Sequence, residues 1–118
     1  LMLAERLWDD PSLSESEGWN VGPDVEQIRP VQWIVEHLTT QWGENARWEL
    51  DGTEFPHEDT FLKLDCTKIK SILGWEPTLE LMTVLDWIVE WYKAHRDGDD
   101  VQAVCLRQIE QFEQLSAK

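Results

Sequence analysis

The stretch from Leu62 to Pro77, LKLDCTKIKSILGWEP, leaves this chain few local choices. Asp65 is placed as an N-cap, because its carboxylate can accept from the open N–H groups of a first helical turn. Cys66 to Leu73 then reads as a short helix with Ile69, Ile72 and Leu73 on one face. Gly74 supplies the left-handed residue that stops it, and Trp75 is positioned to fold back on Ile69 in a Schellman-type ending. Pro77 keeps the helix from resuming. Punctuation this dense predicts two helices aimed at one another across a fixed connector.

Leu1 to Trp8 is helical in pattern and ends near Asp9-Asp10-Pro11, with the polar run Ser12 to Glu17 behind it. Gly18-Trp19-Asn20-Val21-Gly22 reads as a short strand, and Asp24 to Arg29 as a loop. Pro30 suits a first helical position. Val31 to Trp42 follows as an amphipathic helix with Val31, Ile34, Val35, Leu38 and Trp42 on its apolar face, stopped by Gly43. Arg47-Trp48-Glu49-Leu50 alternates like a second strand, and Phe61 to Leu64 is extended. Thr78 is expected to cap a long helix running to about Arg96, carrying Leu81, Val84, Leu85, Ile88, Trp91 and Tyr92 with Gly98 at its end; the apolar faces from Val84 to Tyr92 and, on the next helix, from Val101 to Leu115 suit either core or subunit contact. Asp99-Asp100-Val101-Gln102 resembles a capping box for a last helix bearing Val101, Val104, Cys105, Ile109, Phe112 and Leu115. The expected fold class is α+β, mostly helical, one domain over residues 1–118 with two or three short strands. Leu1 opens a helix without an N-cap or an initiating Met, so the expectation is a piece of something longer, holding part of a site.

Charge narrows the function. The chain has 118 residues with 24 acidic against 10 basic side chains, a formal net charge of -14. Such a field repels phosphate backbones, and no basic patch offsets it, so nucleic acid is not an expected partner. A solvated acidic exterior that keeps the protein in solution is the ordinary explanation. No apolar run approaches the roughly 18 residues needed to cross a bilayer, so neither a signal peptide nor a membrane partner is expected. Cys66 and Cys105 stand outside any CxxC, beside apolar residues on helix faces, and read as small buried hydrophobes in a cytoplasmic protein.

Candidate chemistry is sparse. His57-Glu58 begins like HExxH, but Phe61 occupies the position of the second histidine. His37 and His95 lie on separate helices without ligand spacing, so no metal is expected. Eight tryptophans suggest a carbohydrate platform, yet Trp33, Trp42, Trp75, Trp87 and Trp91 fall among aliphatic residues, where core packing is the simpler account. GxSxG, a P-loop and GxGxxG are all missing from the sequence, and Tyr92 is followed by Arg96 where Tyr-x-x-x-Lys would need lysine. Asp9-Asp10 and Asp99-Asp100 sit at helix ends, where capping explains them. No catalytic residue is assigned.

Taken in order, Trp19-Asn20-Val21-Gly22, Asp65-Cys66-Thr67-Lys68, Leu73-Gly74-Trp75-Glu76-Pro77 and Glu90-Trp91-Tyr92 resemble the C-terminal portion of extended short-chain dehydrogenases that act on nucleotide sugars. Leu3-Ala4-Glu5-Arg6-Leu7-Trp8, Arg29-Pro30-Val31, Trp48-Glu49-Leu50-Asp51, Pro56-His57-Glu58 and Leu62-Lys63-Leu64-Asp65-Cys66 extend the resemblance to the CDP-glucose 4,6-dehydratase subfamily over almost the whole chain. The resemblance implies an NAD-dependent lyase that oxidises glucose C4, eliminates water across C5–C6 and returns the hydride, in deoxysugar synthesis for surface polysaccharide. It implies that the Rossmann half, with NAD and the catalytic Tyr/Lys, is absent here. This chain would then be the substrate-binding lobe, inactive alone, for CDP-glucose, in an enzyme that is a homo-oligomer when full length.

Relatives often place arginine ten residues before the position of Asp65, and an acidic or histidine residue three after that arginine. Phe55 and Glu58 hold these positions here. The resemblance therefore assigns Glu58 to ribose hydroxyls with His57 beside it, and passes diphosphate neutralisation to Arg29 or to residues upstream. Two other readings stay open at this point. One is a lobe of another nucleotide-sugar epimerase or dehydratase. The other is a non-catalytic acidic α-helical interaction module that meets a basic protein.

Overall fold

A computed structural model describes residues 1–14, 18–52 and 64–116. Their α-helices are α1 (Met2–Asp9), α2 (Val31–Trp42), α3 (Thr67–Leu73), α4 (Leu81–Asp97) and α5 (Val101–Ser116), with 3-10 turns at Pro11–Ser14 and Val25–Gln27. They group into two compact units, Leu1–Gly22 with Lys63–Glu76, and Pro23–Leu62 with Pro77–Lys118.

The expected α+β class is corrected, since the described residues contain helices and no β-strand. A strand exists only through its ladder, and neither described candidate has one. Along Gly18 to Gly22 the polar atoms meet side chains and single carbonyls instead. Asn20 Nδ2 donates to the Asp65 carbonyl at 3.2 Å, and the Gly18 carbonyl accepts from Lys68 Nζ at 3.3 Å. Arg47 and Glu49 form only a loose ion pair with each other at 4.0 Å. Of the third candidate, Phe61 to Leu64, all but Leu64 lies outside the described residues.

In the first unit Asp10 ends α1 and starts the next turn. Its N–H donates to the Arg6 carbonyl at 2.9 Å, while its carboxylate accepts from the Ser12 hydroxyl at 2.6 Å and N–H at 3.1 Å. α3 begins one residue later than its sequence suggests, at Thr67. Asp65 still does the capping, accepting the Thr67 N–H at 2.9 Å. Hydrogen bonds from the Thr67 hydroxyl and then the Thr67 N–H hold the Asp65 carboxyl below the usual range, against a smaller effect of desolvation. Gly74 is left-handed, φ 65°, with one bond from its N–H to the Lys70 carbonyl at 3.0 Å, the simpler αL stop rather than a Schellman pair. Cys66 and Ile69 are buried, whereas Ile72 is exposed.

In the second unit α2 packs on α4, and α4 on α5. Pro30 flanks α2 rather than entering it, and its carbonyl accepts the first helical bond, from Ile34 N–H at 3.2 Å. α4 starts at Leu81 with Glu80 at the N-cap, two residues beyond the expected cap at Thr78. A contact distant in sequence explains the shift, because Gln27 Oε1 accepts the Leu81 N–H at 2.9 Å. Gly98, φ 79°, ends α4 as a Schellman motif: Gly98 N–H bonds to the His95 carbonyl and Asp99 N–H to the Ala94 carbonyl. The last cap also moves by one residue. Asp100, not Asp99, accepts the N–H groups of Gln102 and Ala103, at 3.0 and 3.2 Å.

The core is small. Leu85, Val89 and Ala94 of α4 and Val104 of α5 are buried. Tyr92, Ile88, Ile109, Phe112 and Leu115, whose faces suit either core or subunit contact in the sequence, are exposed, because the apolar band on this hairpin is wider than the neighbouring helices cover. Cys105 is exposed and Cys66 buried, both as free thiols. None of the eight tryptophans is fully buried either. Several serve instead as platforms for cations: Lys68 lies 4.5 Å from the Trp19 ring, Arg96 5.1 Å from Trp42 and Arg29 5.7 Å from Trp33. Rings half in water, with a charged neighbour, explain why aliphatic company in sequence did not make them core.

Candidate functional site

Arg29 is the sequence-assigned contact that falls within the described residues; His57 and Glu58, like Phe55, lie outside them. The Val25–Gln27 turn aims Arg29. Its Nη1 donates to the carbonyls of Glu26 at 2.7 Å and Ile28 at 2.9 Å, which folds the side chain back over the turn that precedes α2. A row then builds up along α2. Arg29, folded back from the loop ahead of α2, stands over the Trp33 ring, and Trp33 and His37, four apart on α2 and so on one face, stack with centroids 5.5 Å apart and planes 16° apart. His37 Nε2 meets Asp86 Oδ1 at 2.8 Å, fastening the row to α4.

Beside this row is a cleft of about 310 Å³, lined by Glu26, Gln27, Arg29, Trp33, Glu80, Leu81 and Met82. Gln27 is the strut of this cleft, since its Oε1 holds the first N–H of α4. Sequence reasoning singled out Arg29 and missed its partners. The spacing of Trp33 and His37 on α2 is helical, but no local signal places Arg29 over Trp33 or joins His37 to Asp86 or Gln27 to Leu81.

A second hollow, of about 270 Å³, runs along α4 and α5 between Leu79, Val84, Trp87, Ile88, Trp91, Tyr92 and Gln108. Gln108 Nε2 is already engaged by the Trp87 carbonyl at 3.1 Å and by Glu90 at 2.9 Å. This groove therefore offers apolar shape and little hydrogen bonding.

Among the described residues no three His, Cys, Asp or Glu side chains gather as a metal site, and no helix is long and apolar enough to cross a membrane. NAD, which the family resemblance implies, does not fit these residues. A dinucleotide loop needs glycines two and three positions apart ahead of a helix N-terminus, whereas the glycines of this chain, at 18, 22, 43, 52, 74 and 98, are never closer than four positions.

No protein-family model matches the chain. A curated relative does: the CDP-glucose 4,6-dehydratase of Salmonella typhimurium (strain LT2) is 41% identical over 112 residues, covering 95% of this chain. This chain is similar to CDP-glucose 4,6-dehydratase along nearly its whole length. The match covers 31% of the Salmonella dehydratase, so the chain spans about a third of that enzyme's length. The relationship to a nucleotide-sugar dehydratase stands on this identity. The Arg29 cleft and the α4–α5 groove are features of this chain itself.

Proposed function

We propose that these 118 residues form the C-terminal, substrate-binding portion of an NAD-dependent CDP-glucose 4,6-dehydratase, working as one domain of a cytoplasmic, homo-oligomeric enzyme of deoxysugar synthesis. The observation that carries the proposal is the 41% identity over 95% of the chain. It is supported by the sequence itself, which has neither a GxGxxG loop nor a Tyr-x-x-x-Lys pair. NAD and the reacting hexose carbons then belong to residues outside this chain, and the chain alone has no turnover. Arg29, His57 and Glu58 contact the nucleotide sugar, with Glu58 directed to ribose hydroxyls and His57 beside it.

The test is calorimetry of the complete enzyme with CDP-, UDP-, GDP- and dTDP-glucose, together with a dehydratase assay on the 118 residues alone. Tightest binding of the cytidine form and no turnover by the isolated chain are expected. Preference for another nucleotide would overturn the CDP assignment, and turnover by the isolated chain would overturn its incompleteness.

A further inference from the structure

We propose that Arg96 is a strap: it holds the chain leaving α2 in a left-handed turn that the turn's own residues disfavour, and so sets by charge the direction of residues 46–52. Gly43, Glu44 and Asn45 have φ of 68°, 55° and 60° in succession. The Ala46 N–H donates to the Gly43 carbonyl at 2.8 Å, closing a β-turn with both central residues left-handed, the type I′ pattern. Such turns select Asn-Gly, Asp-Gly or Gly-Gly at their centre. Asn45 tolerates that region, whereas Glu44 bears the full steric cost of its Cβ there. Glu44 therefore stands against local preference, and the contact that holds it comes from outside the turn.

Arg96 reaches it across 52 positions of sequence. Its Nη1 and Nη2 donate to the two Glu44 carboxylate oxygens at 2.8 and 3.0 Å, a bidentate fork. Asp97 aims the fork, accepting from Arg96 Nε at 2.8 Å and Nη2 at 3.2 Å. The guanidinium also lies 5.1 Å from the ring centre of Trp42, the last residue of α2. One turn back on α4, Lys93 Nζ donates to the Gln41 carbonyl at 3.0 Å, so the helix end beside the turn is tied as well. Two carboxylates thus converge on one guanidinium. Without it Glu44 and Asp97 repel each other, and that repulsion adds to the backbone's own tendency to leave the left-handed region. The Arg96 and Glu44 side chains are 39% and 59% exposed, so dissolved salt reaches the strap and loosens it, with a screening length of about 3 Å at 1 M ionic strength.

The experiment is hydrogen–deuterium exchange of the Ala46 amide in the complete protein, resolved by electron-transfer fragmentation. Arg96→Met, which keeps an aliphatic stem against Trp42, is expected to speed exchange by roughly threefold or more. Salt at about 1 M is expected to speed it in the unaltered protein. Glu44→Asn supplies the residue that type I′ turns favour at that position. In the Arg96→Met background it should return exchange to the original rate, and by itself it should abolish the salt effect. Glu44→Gln in the same background removes the repulsion and leaves the backbone cost, so exchange should stay fast. Arg96 lies outside the core, and unchanged helical circular dichroism verifies the fold of each variant. Unaltered exchange in Arg96→Met, indifference to salt, no recovery with Glu44→Asn, or equal recovery with Glu44→Gln would each overturn the strap.

Discussion

Leu85 and Ile88 stand three residues apart on α4, and replacing each by alanine deletes the same three carbons. Burial separates them: Leu85 is 5% exposed and Ile88 42%. At about 0.8 kcal/mol per buried carbon, Leu85→Ala loses about 2.4 kcal/mol of transfer free energy. A cavity beneath it adds about 0.5 kcal/mol, at the low end because this core has no side chain below 2% exposure and can collapse inward. The expected cost is about 3 kcal/mol. Ile88→Ala scales to about 1.4 kcal/mol for the buried part of its side chain, and alanine's better helix propensity returns about 0.4 kcal/mol. That leaves about 1 kcal/mol. Urea unfolding followed by circular dichroism should therefore separate the two midpoints by about 1–2 M, for a slope of about 1–2 kcal/mol/M. Equal midpoints, or a more damaging Ile88→Ala, would refute the assignment of the inner and outer faces of α4.

The helix ends give three further tests. Gly98→Ala should cost about 1–2 kcal/mol although a Cβ there meets nothing within 4 Å, because the strain lies in φ 79°; Gly18→Ala, equally open and without a positive φ, should stay within about 0.5 kcal/mol in the same unfolding assay. Asp100→Ala should cost about 1 kcal/mol and Asp99→Ala clearly less, and the reverse order by thermal denaturation would move the cap of α5 back by one residue. The Asp65 carboxyl should titrate below 3.8 by NMR. Its depressed folded value means that its stabilising contribution is complete above the unfolded value and lost as pH falls through the folded one. Thr67→Val should raise that midpoint by removing the hydroxyl donor, and an unmoved midpoint would show that the Thr67 hydroxyl is not the cause.

Helices were legible in this sequence and strands were not, for a physical reason. The 3.6-residue period of α2 and α4, and the glycines after each, are local, so Val31 to Trp42 and the stop at Gly98 could be read directly. Gly18 to Gly22 and Arg47 to Leu50 have the right composition for strands, but a ladder needs a second backbone, and none reaches them among the described residues. Arg29 illustrates the same divide at the candidate site. The pairing of Trp33 with His37 is a matter of helical spacing, whereas Asp86, Glu80 and Leu81 come to the site from elsewhere in the chain.

The sequence by itself determined the acidic charge, the order and ends of most helices, and the kinship that Leu62 to Pro77 and its neighbours carry. Those features depend on residue identity and on contacts a few positions apart. Tertiary structure alone decided the start of α4 at Leu81, where a glutamine 54 residues away supplies the cap, and the half-exposed setting of the tryptophans. It alone decided that Glu80 lines the same cleft as Arg29. Each of these depends on which surfaces meet in space, and helical periodicity cannot encode a partner on another helix.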